Sequence, residues 1–344
     1  MASRRAVRLR WQSDRRNVVS GRIPSDLMAA TIVVEVKNQV VPCTLSMGSW
    51  GIDYDLVVDL DLGDPIGTQV IAGQWTLSPA LMWLLGSLKA GDSVLDLGAH
   101  YGTFAIPAAK LGARVVAVEG SPRNAAVLRS ACEQNRLENL EIVEVVVDSG
   151  IGEVEFVDLG PYGTISTADI CSETGYPTIR RLTTRVDDLP GAPFDWAKID
   201  IEGNEQAALR GGQGMLNSIR GMVIESNGYA LHSHGTSPTE LVHSIESFGL
   251  KVYEVTDGEL RRVTHPVVQP ETIVDYVAVR NELTLPPGWV ERPERNDTEI
   301  VTALMHESKH PIPEHRDHAD RIIEGLSRKL AKRYRKVVNA HMRS

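Results

Sequence analysis

Val94-Leu95-Asp96-Leu97 is an apolar run broken by one acid, and it stops on Gly98-Ala99-His100-Tyr101-Gly102 before an alanine-rich segment, residues 103–111. A buried strand that opens into a helix through a glycine turn is the ligand-binding turn of an open α/β sheet. Glycine has no Cβ, so at positions 98 and 102, on either side of Ala99, the backbone can lie against a bound nucleotide. Such a unit cannot stand alone: it needs parallel strands beside it and helices on both faces.

The next strand, and what the turn lacks, say which nucleotide. Residues 113–119 form a second apolar run that ends in Glu119, where a carboxylate can accept hydrogen bonds from both ribose hydroxyls. The dinucleotide pattern G-x-G-x-x-G needs glycines at 100 and 103, where this chain has His100 and Thr103. Instead an acid, Asp96, precedes the first glycine by two residues. A carboxylate there repels a pyrophosphate but can accept from the ammonium group of S-adenosylmethionine. The turn therefore predicts that cofactor over NAD, with a plain structural βα turn as the alternative.

The rest of the chain keeps up the alternation. Residues 31–36 and 40–45 are β-rich around Lys37-Asn38-Gln39 and predict a hairpin, with 55–60 as a third strand. Ser78-Pro79 starts a helix over 80–88, serine as N-cap and proline in the first turn. Strands over 140–147, 196–201, 222–225, 252–255 and 275–279 then interleave with helices over 122–135, 205–210 and 239–248. With 94–97 and 113–119 they make seven strands, the last pair without an intervening helix. The expected fold is a doubly wound α/β sheet with an antiparallel last strand. Asp148, at the end of the third strand, is placed to accept from the adenine amino group. Residues 160–182, rich in Gly, Ser and Thr and including Tyr162, form a candidate lid or substrate loop, and 228–236 also shapes the pocket. A proline-rich linker follows 281, and 320–338 repeats apolar residues at helical spacing with Lys and Arg on the other face. Three units result: a basic arm and small N-terminal β unit (1–74), the sheet domain (75–281), and a linker with a basic amphipathic helix (282–344).

Trp196-Ala197-Lys198-Ile199-Asp200-Ile201-Glu202-Gly203-Asn204-Glu205, with Leu209-Arg210-Gly211 behind it, resembles the K-I-D-V-E-G-x-E…L-x-G motif of the FkbM-type methyltransferases. Asp96 to Gly102 is similar to that family's D-x-G-A-N-x-G, with His100 in place of the asparagine. Thr184-Arg185-Val186-Asp187-Asp188-Leu189 resembles its T-L-D-x-L, and Glu119 matches the acid of V-x-A-x-E-P. The resemblance spans residues 75–280. It implies a Rossmann-like class I methyltransferase sheet, S-adenosylmethionine as cofactor, and O-methylation of a glycan, glycolipid or polyketide-type acceptor.

Methyl transfer from a sulfonium needs an oxygen nucleophile that lies in line and sheds its proton, a task for a carboxylate or an imidazole. Asp200 is the first candidate, as base or as a contact for the methionine end of the cofactor. Glu202 is the second, because alternate strand residues share a face and strand carboxyl ends open on the crevice. Lys198 falls on that face and can pair with either acid. His100, in the glycine turn, is the third. A divalent-cation reading would use Asp200, Glu225 and Asn227, or Glu225 with His232 and His234; the preferred reading has no metal.

The net charge is −9, yet residues 1–22 hold seven arginines against one acid and 320–344 eight Lys/Arg against two, which leaves an acidic body. That body disfavours a nucleic-acid acceptor, because phosphate neutralisation drives such binding. The basic ends keep an RNA-methylating enzyme as an alternative, and the C-terminal helix suits a peripheral membrane or subunit contact. An inert scaffold of the same fold is the alternative from another class, against which the intact Asp96, Glu119 and 198–203 argue. Cys43, Cys132 and Cys171 show no paired spacing, and no signal-peptide or membrane-spanning run is present, so a cytoplasmic protein is expected.

Overall fold

The computed structural model describes residues 40–59, 64–158, 162–167, 178–256, 258–263, 273–280 and 285–293. β1 (Val40–Met47) and β2 (Ile52–Asp59) pair antiparallel across a short turn closed by Gly51 in the left-handed region. Their register sets Val41 opposite Val58, Cys43 opposite Leu56 and Leu45 opposite Tyr54, all buried on one face. The expected hairpin pairs β1 with residues 31–36, which lie outside the described residues; the matched apolar alternation pairs β1 with its downstream neighbour β2. α1 (Pro65–Ala72), absent from the expected elements, starts where Asp64 caps the Ile66 N–H. α2 (Pro79–Ser87) starts as expected, with Ser78 capping Leu81.

β3 (Ser93–Leu97), α3 (Ala105–Lys110), β4 (Arg114–Val118), α4 (Pro122–Asn135) and β5 (Leu140–Val143) follow as βα units. The expected third strand breaks after Val143. Its second half, β6 (Val146–Val147), joins β7 (Gly152–Val157), β8 (Thr164–Ile165) and β9 (Thr178–Thr184) in a separate four-stranded sheet, order β6-β9-β7-β8. The chain then returns through β10 (Trp196–Ile199), α5 (Glu205–Gly211), α6 (Gln213–Ser218), β11 (Gly221–Asn227), α7 (Gly228–Ser233) and α8 (Pro238–Ser247). β12 (Lys251–Thr256), β13 (Glu259–Arg262), β14 (Ile273–Val279) and β15 (Val290–Arg292) complete it.

The central mixed α/β sheet has nine strands, not seven, in the order β15-β13-β12-β14-β11-β10-β3-β4-β5. The five from β5 to β11 run parallel, and β14 is antiparallel to β11. The expected closing hairpin is revised: β12 turns back into β13, and β14 slides between β12 and β11, pairing with both. Alternation along the strands divides the core into two clusters. Val94, Val115 and Val277 pack with α2, α3, α4 and the β1–β2 hairpin, while Leu95, Leu97, Ile199 and Ile224 pack with α5, α6 and α8. Among the described residues no helix is long and apolar enough to cross a membrane. The segment 320–338 and both basic ends lie outside the described residues.

Candidate active site

The carboxyl ends of the parallel strands open on a cavity of ≈ 290 Å³, walled by the sheet on one side and by residues following α1 on the other. Glu119, one residue past β4, lines it while only 6% exposed. Its Oε2 accepts the His100 N–H at 2.7 Å and its Oε1 accepts the Ser121 N–H at 2.8 Å. Burial pushes this carboxyl above the ordinary range, and those N–H groups and His100 pull it back. Each oxygen keeps a further acceptor site, which is what a pair of ribose hydroxyls requires.

Gly98 also lines the cavity, at φ +77°, but the ligand is not its only reason to be glycine: a Cβ there would stand 1.8 Å from the Asp200 carbonyl oxygen. Gly102 and Ala99 do not line the cavity. Gly102 faces inward, where a Cβ would meet Leu128 Cδ1 at 2.5 Å, and Ala99 is 2% exposed. Both shape the turn from behind. Asp96, expected as a cofactor contact, does not line the cavity either. It is fully buried, and its partner is Lys198, whose Nζ lies 3.3 Å from Asp96 Oδ1 and 3.3 Å from Asp200 Oδ2, so Lys198 spans both acids. Lys198 Nζ further donates to the Gly98 carbonyl at 2.8 Å. Burial works against the lysine's charge, but Asp200 and Asp96 outweigh it and hold the ammonium above its ordinary value. Asp148 is carried away from the cavity by the break after β5. Its Oδ1 accepts the adjacent Ser149 N–H, and Val145 to Val147 line the cavity in its place.

β10 ends at Ile199, so Asp200 and Glu202 sit in the turn beyond the strand rather than on its face. They converge nonetheless, because Glu202 adopts φ +53°. Asp200, Glu202 and Glu225 present carboxylate oxygens within 4.8 Å of one another. The Ile201 and Gly203 N–H groups of this turn donate to Glu205 Oε1, not to Glu202. Burial, Asp200 and Glu205 push Glu202 up to about 8. Glu225 is raised by burial and by Asp200, Glu202, Glu205 and Asp275, and Asp275 is raised mainly by burial. Burial is the largest cause in all three, and repulsion between the neighbouring carboxylates adds to it.

Neither expected metal set is gathered. Asn227 Oδ1 caps the Ala230 N–H, His232 is exposed, and His234 Nδ1 contacts the Ala230 carbonyl at 2.8 Å. The segment 228–236 packs behind Gly203 and does not line the cavity. Of the loop 160–182, residues 162–165 do line it, and Thr164 Oγ1 donates to the Glu202 carbonyl at 2.9 Å; 168–177 lie outside the described residues. His100 lines the cavity, with Nε2 3.0 Å from Asp64 Oδ2. Sequence reasoning missed Asp64 and Asp275. Both left a signal: Asp64-Pro65 is a helix start, and Asp275 interrupts an apolar strand as Asp96 does.

Residues 96–251 match the Methyltransferase FkbM domain family. Over 94 residues, 26% of this chain and 21% of the relative, the sequence is 33% identical to the 23S rRNA (uracil(1939)-C(5))-methyltransferase RlmD of Shewanella amazonensis. The chain thus spans 14–21% of the length of the curated relatives it matches. Among solved structures, the methyltransferase FkbM from Methylobacillus flagellatus is similar at a TM-score of 0.39 and 16% identity, over 58% of this chain and 48% of that one. The 16S rRNA N2 G1207 methyltransferase RsmC of T. thermophilus is similar at a TM-score of 0.39 and 15% identity, over 72% of this chain and 52% of that one.

Proposed function

We propose that residues 96–251, which match the Methyltransferase FkbM domain, form an S-adenosylmethionine-dependent enzyme that methylates a hydroxyl of a glycan, glycolipid or polyketide-type acceptor. The observation that carries the reading is the shared cavity: Glu119, cradled by two backbone N–H groups, lines the same space as Asp200, Glu202 and His100. When bound, the cofactor supplies an electrophilic methyl group on its sulfonium. Glu119 would hold the ribose hydroxyls, and Gly98 would let the adenosyl group approach the turn. Lys198, with Nζ 3.3 Å from Asp200 Oδ2, holds that side chain at the cavity wall. The proton of the acceptor hydroxyl would pass to one of the three candidate bases, Asp200, Glu202 or His100, all of which line the cavity.

An RNA acceptor, such as the name RlmD carries, is disfavoured by the net charge of −9, since phosphate neutralisation by basic residues drives such binding. Isothermal titration with S-adenosylhomocysteine tests the cofactor reading: one site per chain is expected, and no heat from folded protein rejects it. Incubation with methyl-labelled cofactor and panels of hydroxylated lipids, glycans and RNA, read by mass spectrometry, then tests the acceptor class. Label appearing in RNA alone would replace this reading.

A further inference from the structure

We propose that Asp64 is a positioning residue for the cofactor, acting through His100 to fasten the wall that starts at α1 onto the glycine turn. The inference rests on the cofactor reading above and takes it one step further.

Asp64 divides its two oxygens between two jobs. Oδ1 accepts the Ile66 N–H at 2.7 Å and starts α1, while Oδ2 lies 3.0 Å from His100 Nε2. Both residues are buried, Asp64 at 3% exposed and His100 at 8%. The segment that follows supplies Ile66, Trp75, Leu77 and Ser78 to the cavity wall. His100 is therefore where this wall meets the turn. Burial would raise the Asp64 carboxyl, but His100, the Ile66 N–H and Tyr101 together hold it below the ordinary range.

The imidazole is fixed from every side. Its own backbone N–H is bound to Glu119, its ring stacks on Tyr101 with centroids 3.6 Å apart, and Asp64 faces Nε2. These three, Asp64, Tyr101 and Glu119, are the titratable groups that face it. A carboxylate can only accept, so the neutral ring carries its proton on Nε2 and leaves Nδ1 as an acceptor. Both ring nitrogens are buried without a hydrogen bond of good geometry among the described residues; Nε2 has Asp64 Oδ2 at 3.0 Å, while Nδ1 has no such neighbour. A buried acceptor without a partner is costly unless a ligand donor meets it. The hydroxyl and ammonium groups of the cofactor are such donors.

His100 also sits at φ +50°, a region that asparagine, the residue of the resembling family at this place, adopts readily. His100→Asn thus preserves the turn but is too short to carry both contacts. Asp64→Asn likewise separates the two jobs of Asp64, because asparagine caps a helix as well as aspartate does.

Titration of S-adenosylhomocysteine into the full chain decides the matter. D64N and H100N should each bind about tenfold more weakly, the worth of one charge-assisted hydrogen bond, and the double variant no more weakly than either. Imidazole ¹⁵N shifts should show the His100 proton on Nε2 in the parent and moved to Nδ1 in D64N. Affinity within twofold of the parent in D64N, additive losses in the double variant, or an unchanged tautomer would each overturn the proposal. Failure of the parent chain itself to bind the ligand would instead reject the cofactor reading.

Discussion

The two ends of the same parallel strands treat their acids in opposite ways. At the amino end, Asp92 accepts from the Lys89 N–H at 2.9 Å, from Trp196 Nε1 at 3.1 Å and from Arg220. Asp195 accepts the Ser93 N–H at 2.9 Å and lies 3.2 Å from the same guanidinium, which sits over the Trp196 ring. At the carboxyl end, Asp200, Glu202, Glu225 and Asp275 share a cavity with one lysine, and Lys198 is already spent on Asp96 and Asp200. The chain thus satisfies buried acids where only stability is at stake. An uncompensated set at the other end is the departure expected of a site that awaits a ligand. On the reading proposed here, the partner withheld by the protein is a cofactor bearing a sulfonium and an ammonium.

The comparison breaks most visibly at Lys198. Lys198→Met leaves the fully buried Asp96 without its cation, and removing one partner of a buried pair costs about 3–5 kcal/mol. Chemical denaturation should show a loss of that size; a loss under about 1 kcal/mol would mean that Asp96 is held some other way. Glu119→Gln comes next. It removes the charge that two backbone N–H groups and the ribose share, so S-adenosylhomocysteine should bind roughly 10–100-fold more weakly while the fold survives. At the opposite end, Arg220→Ala should cost about 1–2 kcal/mol, because Asp92 and Asp195 keep their other donors. Ligand affinity should stay within about twofold, as for two sites that share no partner. A large loss of binding in this variant would show that the two ends do not act independently.

The division between the ends was partly legible in the sequence. Strand-end acids Glu119, Asp200 and Glu202 followed from apolar runs that stop on an acid, because period-2 patterning and the βα turn fix which strand end they reach. What escaped depended on pairings made across the chain. Asp96 reads as a ligand contact until Lys198, 102 positions away, is seen to occupy it. Asp148 reads as a strand-end acid until the strand breaks after Val143 and β6 turns to β9 instead. The extra strands β13 and β15 left no signal beyond a short run each, and edge strands this short carry too little apolar surface to show. Asp64 was readable as a helix cap, yet its second oxygen, directed at His100, was not, since the contact joins a loop to a turn 36 positions on.

The smallest effect tests the contrast most directly. Glu225 is crowded by burial and by Asp200, Glu202, Glu205 and Asp275, so its folded carboxyl titrates well above the ordinary value of 4.5. A carboxyl raised on folding binds more protons in the native chain than in the unfolded one, and stability then falls as pH rises above that ordinary value. Glu202, pushed up to about 8, adds to the slope over the same range. Glu225→Gln keeps the shape and removes the charge. Near pH 9 it should melt a few degrees higher, about 1 kcal/mol more stable, and the gap should close as the pH falls to about 5, where the parent carboxyl is already protonated in the native state. Differential scanning calorimetry across that range checks the sign. A variant that melts lower than the parent at every pH would show Glu225 to be a satisfied acid, and the cavity end of the sheet would then be built on the same terms as the Arg220 end.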